Sequence, residues 1–460
     1  MHPGTVAGKR RRGGTMISLS MRACLTGCAL LGLVGLAVGG GFSIYEAGAK
    51  ATGMGCAVTA SVDDGSAMFY NIAAISFMPG TFADANLMPV QPRIKFAGLG
   101  DPYPSATAET ENQIFPIPGL GVTHNPGGRF AFGLGLSAPF GLGVAWEDPE
   151  TFPGRYTSYD VYLATIYVTP AVSFKVTPQL SVAVGADIAY QSIELNRYAG
   201  QAFGGDAEMV NVLDAQLEGD SELNVTPAFG LMYRPTPKLS FGVMYHHEKA
   251  MEFGDGTGTL ENIAPAGPLR DAVEPLAGEY DLTTELGLPH ILSLGVAYQV
   301  HPKLLAEFNA VHFGWSNFDE LALVFDPDPT GQLSSTIPEH YEDKWQFRVG
   351  LDYEVDARWS LLAGYVRDET PQPKASMGAL LPDASRNDYS FGVQYRTGPW
   401  RLTASYMAVV NESRNNLDGG QVAVFPEEAD DPEVIMERTA QAGNYESLAN
   451  IFAFGVGHQF

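Results

Sequence analysis

Histidine is the residue most often recruited for proton transfer and metal binding, and beyond the N-terminus it falls at His124, His246, His247, His290, His301, His312, His340 and His458. Nucleophilic catalysis needs a serine or cysteine within reach of a histidine that a third group orients. These histidines are scattered and sit in no such motif. His246-His247-Glu248 has the wrong spacing for a helical zinc site, which needs two histidines on one face around a glutamate. Leu25-Thr26-Gly27-Cys28 has the form of a lipoprotein cleavage box, but its apolar run follows the cysteine instead of preceding it. Of the three cysteines only Cys56 lies in the body of the chain, which leaves no disulfide partner and no zinc cluster there. No cofactor, metal or enzymatic activity is expected. A net charge of -25 offers no basic face to nucleic acid.

The elements that would position any site come next. The chain of 460 residues is 45% hydrophobic and 17% charged, with 52 glycines and 20 tyrosines, too little charge for a soluble enzyme of this size. Lys9 to Arg12 and Arg22 flank an apolar core, Ala29 to Val38, followed by Gly39, Gly40 and Gly41. Residues 1–39 therefore read as a secretory signal peptide, with Met16 or Met21 as alternative starts. After residue 40 no apolar run approaches the roughly 18 residues of a membrane helix. Any crossing must be made of strands.

The body alternates with period two. Tyr162, Ala164, Ile166 and Val168 oppose Leu163, Thr165, Tyr167 and Thr169, and Trp345, Phe347, Val349 and Leu351 oppose Lys344, Gln346, Arg348 and Gly350. About fourteen strands are predicted, from 81–98 to 446–460. The links after even-numbered strands are tight (His124 to Arg129, Val176 to Gln179, Pro235 to Pro237), whereas those after odd-numbered strands, such as 140–160, 198–220 and 254–286, are long. Such sorting marks an outer-membrane barrel rather than a soluble sandwich. The last strand carries Phe452, Phe454, Val456 and a terminal Phe460, the aromatic ending that barrel-assembly machinery reads. Residues 40–80, rich in Gly, Ala and Ser, lack the strand pattern. Preceding the first strand, they are expected to fold back as a plug in a lumen that would otherwise admit water. The expected organisation is thus all-β: signal peptide 1–39, plug 40–80, and an antiparallel transmembrane barrel over 81–460.

Two local features stand out. Pro139 has no N–H for the ladder, and Gly133, Gly135, Gly141 and Gly143 surround it, so the third strand is expected to end or kink here. Ala207 to Leu217 places Met209, Val210, Leu213 and Leu217 at helical spacing, which predicts an amphipathic helix in a long loop.

Together these pieces resemble the FadL-type transporters of long-chain fatty acids and aromatic hydrocarbons. The resemblance rests on Gly41-Phe42 with Glu46, Gly53, Gly55, Asp63-Asp64 and Asn71, then Ser137 to Leu142 and Glu194 to Gly200. Trp315-Ser316 with Phe318, and Thr370-Pro371 with Leu381 to Asp383, complete it. It implies a monomeric, plugged, fourteen-stranded barrel in the Gram-negative outer membrane, in contact with its lipid. Loop-borne capture of a hydrophobic ligand would be followed by lateral release through a kink at Pro139, Phe140 and Gly141. The family's Asn-Pro-Ala hatch motif is similar to Asn71-Ile72-Ala73, with the proline lost. The family's carboxylate-binding arginine corresponds to Arg197; its lysine aligns with Glu342, and Lys344 two residues on faces the same way. Aromatic hydrocarbons are the alternative cargo. A general porin is disfavoured by the plug, and an adhesin would bind through loops such as 414–445.

Overall fold

A computed structural model describes residues 40–99, 103–203, 208–329, 331 and 333–460; the expected signal peptide lies outside the described residues. Alternating side chains form the strands β1 Gly80–Gly98, β2 Phe115–Asn125, β3 Phe130–Ser137 and Gly141–Ala145, β4 Asp160–Thr177 and β5 Leu180–Phe203. They continue as β6 Glu208–Asp220 and Asn224–Thr236, β7 Leu239–His246 and Lys249–Asn262, and β8 Gly278–Leu288 and Ile291–His301. Next come β9 Leu304–Phe313 and Glu320–Asp326, β10 Ser335–Pro338 and Lys344–Glu354, and β11 Trp359–Asp368. The last three are β12 Arg386–Thr397, β13 Trp400–Asn411 and β14 Gly443–Gln459. These fourteen antiparallel strands close into a barrel, as the alternation predicts. β1 pairs with β2 on one side and with β14 on the other, from Phe82↔Gln459 to Gly98↔Gly443. Closure is what a bilayer demands, because lipid offers nothing to an unpaired backbone group.

One face of each strand is apolar and exposed: Leu120 and Val122 on β2, Phe132 and Leu134 on β3, Val225 and Phe229 on β6, Phe391 on β12, Phe454 on β14. A belt of this extent on the outside of a barrel is the surface that hydrocarbon wets. The opposite face carries buried polar groups such as Thr123, Asp187, Gln191 and Asn309.

Two expectations fail at the long-loop end. Ala207 lies outside the described residues, and from Glu208 the expected helix is strand β6. Leu213, Ala215 and Leu217 are buried at every second position, while β5 and β7 supply ladder partners on both sides. Met209 and Val210 imitate helical spacing, and a two-sided ladder outweighs that local preference. Likewise 198–220 and 254–286 are largely wall: β5 runs to Phe203, β7 to Asn262, and β8 starts at Gly278. Only a short helix, Pro268–Val273, and a single 3-10 turn lie between β7 and β8.

Residues 40–79 fill the lumen as a plug. Their short helices are α1 Ala49–Gly53, α2 Ala67–Tyr70 and a 3-10 helix, Ile72–Phe77. Asn71, fully buried, accepts a hydrogen bond from Ala73 N–H (3.0 Å) and donates to the carbonyls of Thr59 (2.8 Å) and Leu231 on β6 (3.1 Å). Ile72 opens the 3-10 helix, where a proline's missing N–H costs nothing. Its departure from the family motif is therefore one of packing, against Gly230 and Gly185. Wall glycines let plug backbone press directly on strand backbone. A Cβ at Gly350 would sit 2.6 Å from the Met54 carbonyl, and one at Gly230 would sit 2.9 Å from Ala73 N. At Gly242 it would overlap the Thr59 carbonyl. Gly242→Val should unseat the plug while the barrel stays closed. In planar bilayers its conductance should rise well above wild type, with an unchanged heat-modifiable shift on gels; wild-type conductance would mean the plug does not seal the lumen.

Candidate functional site

The ladder between β2 and β3 is interrupted. β2 and β3 pair from His124↔Phe132 to Leu120↔Leu136 and no further. Beyond that, Phe115–Gly119 pairs only with β1, and Gly141–Ala145 pairs only with β4. The strands rejoin at a bridge between Thr110 and Trp146. Pro116 and Pro118 on one edge, and Pro139 on the other, have no N–H to bridge the interval. A wall strand should alternate between lumen and lipid, yet Ser137–Trp146 is buried at all ten positions. The segment has been drawn off the lipid face. Opposite β4 it carries an extra residue, since Ser137 faces Tyr167 and Gly141 faces Ala164.

The plug's first residues take up the displaced strand. Ile44 N–H donates to the Pro139 carbonyl (2.7 Å) and Gly141 N–H to the Phe42 carbonyl (2.9 Å). Phe42 and Phe140 pack edge-on against Trp315, with centroids 4.7 and 6.0 Å away, and Phe42 also meets Phe318 at 5.5 Å. Behind them the long-loop half of the lumen is a continuous apolar cluster. It takes Leu142 and Val144 from β3, Leu163 from β4, Leu195 from β5, Leu217 from β6, Phe253 from β7, Leu286 from β8 and Phe313 from β9. An aqueous pore would line this face with charge. At the surface, a cleft of about 510 Å³ has Phe96, Phe152 and Pro153 among its walls together with Glu147, Asp148, Glu446 and the Lys95–Glu109 ion pair (3.1 Å).

Ionic anchors hold the plug's start. Asp383 accepts from Gly41 N–H (3.0 Å) and from the Thr370 hydroxyl; Tyr45 donates to Asp388; Arg386 reaches Asp368 (3.2 Å). Arg348 lies over the Tyr45 ring at 4.3 Å. Burial pushes the Asp383 carboxyl up to about 6 and the Glu46 carboxyl up to about 7.

Arg197 on β5 is half-buried, in phase with the inward-facing Gln191 and Leu195, and no hydrogen bond or ion pair joins it to the other described residues. Lys344 faces the same side of the wall as its neighbour Phe313 but is tied to Glu342 at 2.6 Å. No contact brings Arg197 and Lys344 together. Pro139, Phe140 and Gly141 lie at the interruption. Its other edge, Phe115–Gly119, was missed, although the spacing Pro116-Ile117-Pro118 carries the same warning of absent donors. Also missed were the contacts of Phe42 and Ile44 with the kink, for which no local pattern exists.

A closed, lipid-facing barrel with a lumenal plug and an apolar interior defines the class: an outer-membrane protein of a Gram-negative bacterium. Residues 31–460 match the family described as outer membrane protein transport protein (OMPP1/FadL/TodX), and the chain belongs to that family. The long-chain fatty acid transport protein of Escherichia coli is 23% identical over 380 residues, 77% of this chain and 83% of that protein. Outer membrane protein P1 of Haemophilus influenzae is 24% identical over 295 residues, 59% of this chain and 60% of that protein. Among solved structures, a Pseudomonas aeruginosa FadL homologue shares the fold with a TM-score of 0.75 at 22% identity, covering 91% of this chain and all (100%) of that one. The Ralstonia pickettii toluene transporter TbuX has a TM-score of 0.61 at 17% identity, covering 90% and 98%.

A carboxyl whose folded value exceeds its ordinary one stabilises the fold while protonated. The contribution of Asp383 is full below 3.8 and is lost as pH rises through about 6. Hydrogen exchange at residues 41–46, corrected for intrinsic rate, should accelerate across this window by up to about tenfold per pH unit. Asp383→Asn should flatten it, leaving only the Glu46 portion near 7; an unchanged profile would remove Asp383 from the account.

Proposed function

We propose that this chain passes hydrophobic molecules, long-chain fatty acids foremost, through the outer membrane by surface capture, lumenal holding and lateral release between β2 and β3. The observation that carries the reading is an apolar lumenal cluster lying against an unpaired interval in the wall. Each buried CH₂ is worth about 0.8 kcal/mol, so an acyl chain gains on entering the cluster. It loses almost nothing on moving sideways into lipid, whereas the aqueous periplasm would reverse the gain. Capture is assigned to the cleft beside Phe96 and Phe152, built by the β1–β2 and β3–β4 links and not by the segments that form β5 to β8.

Arg197, which pairs with no acid among the described residues, is the proposed lumenal contact for a carboxylate; Lys344, occupied by Glu342, is the weaker candidate. That occupation favours aromatic hydrocarbons as a second cargo class, which the likeness to the toluene transporter also supports. Asn71-Ile72-Ala73 is proposed to anchor the hatch, and Pro139, Phe140 and Gly141 to form the gate. A monomer, and recognition of Phe460 by the assembly machinery, complete the reading.

Two cysteines tying the Phe115–Gly119 edge to Gly141–Ala145, introduced in a Cys56→Ala background, test the exit. Oxidation should abolish transfer of oleate into vesicle lipid while equilibrium binding stays within about twofold of the reduced protein. Full transfer in the stitched protein would refute lateral release.

A further inference from the structure

Four aromatic rings stand where the surface cleft meets the lumenal apolar cluster. Phe96 lies near the end of β1, Tyr445 near the start of β14, Trp146 just past β3, and Phe152 in the link from β3 to β4. Each is 2% exposed and belongs to the apolar cluster, and Phe96 and Phe152 also line the cleft. Trp146 stacks on Phe152 with centroids 4.2 Å apart and planes 17° from parallel. Phe96 meets Phe152 edge-on at 5.9 Å and Tyr445 at 5.0 Å, and Tyr445 returns to Trp146 at 6.4 Å. Each ring touches two others, and the quartet closes on itself.

Three of the rings are held by more than packing. Phe96 and Tyr445 face each other in the β1–β14 ladder, and a Cβ on Gly443 would overlap the Phe96 ring. The Tyr445 hydroxyl donates to the Gln441 carbonyl at 3.0 Å. The Trp146 indole N–H donates to the Ala379 carbonyl at 3.0 Å, while Ala379 N–H donates to the Gln441 side chain at 2.8 Å. Phe152 is held differently. It lies in no strand, and its ring carries no hydrogen-bonding group. Its backbone N–H donates to the Asp148 carbonyl and its carbonyl accepts from Arg155, both within its own link. Glu147, Asp148, Glu150 and Thr151, which precede it, are exposed.

Resting on the reading of the cleft as the capture site, we propose that Phe152 is the inner door between capture and lumenal holding, framed by Phe96, Trp146 and Tyr445. Its ring turns off Trp146 into the cleft, and an acyl chain takes the vacated place against the frame. The cleft has about 510 Å³ to receive the ring. Movement elsewhere is obstructed, since Gly154 packs so closely that a Cβ there would sit 2.8 Å from Cε1 and Cζ of Phe152. Opening forfeits contact with the neighbouring rings, and apolar cargo restores it as it enters. A hydrated solute offers no such exchange, because it would lose its water among four rings without a hydrogen bond in return. Phe152 therefore governs how fast cargo crosses into the lumen, and not how tightly the lumen holds it.

The test reads arrival in the lumen directly. A bimane fluorophore on Leu217→Cys, in the apolar cluster, is placed in a Cys56→Ala background of the full-length protein in detergent. Its quenching by a doxyl-labelled stearate is followed by stopped flow and at equilibrium, with heat-modifiable migration as the check on folding. A door lowers the barrier equally in both directions. Phe152→Ala should therefore raise the association and dissociation rates together, roughly tenfold, and leave Kd within about twofold. Phe152→Leu, which keeps apolar bulk without the stack, should accelerate both by less and serves if the alanine variant does not fold. Rates that do not rise overturn the door. So does a Kd weakened through dissociation alone, which would make Phe152 part of a holding site. If the stearate never quenches the lumenal fluorophore in the reference protein, the cargo reading itself fails and the door with it.

Discussion

Backbone pressed against backbone is the constraint on which the rest depends. A barrel of this width encloses more space than inward side chains alone can fill, and residues 40–79 fill it only because the wall steps aside. Gly230, Gly242 and Gly350 present bare Cα atoms where plug segments pass, each at a distance an ordinary side chain would occupy. The fit is then secured by polar groups that would be costly to bury alone: Asn71 toward Thr59 and Leu231, Glu307 toward Ala60 N–H at 2.7 Å, and Asn309 toward Thr59. Toward the short-turn end, Lys50 and Arg401 each meet Asp63 at 2.9 Å. A plug so held fills the lumen without being covalently fixed.

The same plug explains how a gap in the wall is tolerated. Unpaired strand edges are expensive in hydrocarbon, and at the β2–β3 interval the cost is reduced in two ways. Prolines at 116, 118 and 139 remove donors outright. Phe42 and Ile44 then pair with the kink from inside, supplying the hydrogen bonds a neighbouring strand would have made. Kink and plug are therefore one hydrogen-bonded unit, and whatever loosens the plug's first residues also alters the kink. At the same place Phe42 and Phe140 pack edge-on against Trp315.

Much of this was legible in the residues. Strict alternation around Tyr162 to Thr169 and Trp345 to Leu351 encodes a two-faced strand, and the asymmetry of link lengths encodes a barrel. Pro139 with its glycines marks a disturbed strand for the simple reason that a missing N–H is visible in one letter. What stayed hidden is long-range. That Arg197 has no acidic partner among the described residues while Asp187 takes His246 and Lys249 depends on how β5 and β7 are held across β6, which no local pattern reveals. The helix expected near Met209 failed for a related cause: neighbours on both sides of β6, not the spacing within it, decide its form.

Cargo is proposed to leave through the wall between β2 and β3. Photo-crosslinking with a diazirine-bearing fatty acid during transfer, read by mass spectrometry, tests it most directly. Adducts are predicted to concentrate on Phe115–Gly119 and Ser137–Ala145. Labelling that bypasses this interval and runs instead through the plug to the short periplasmic turns would contradict it.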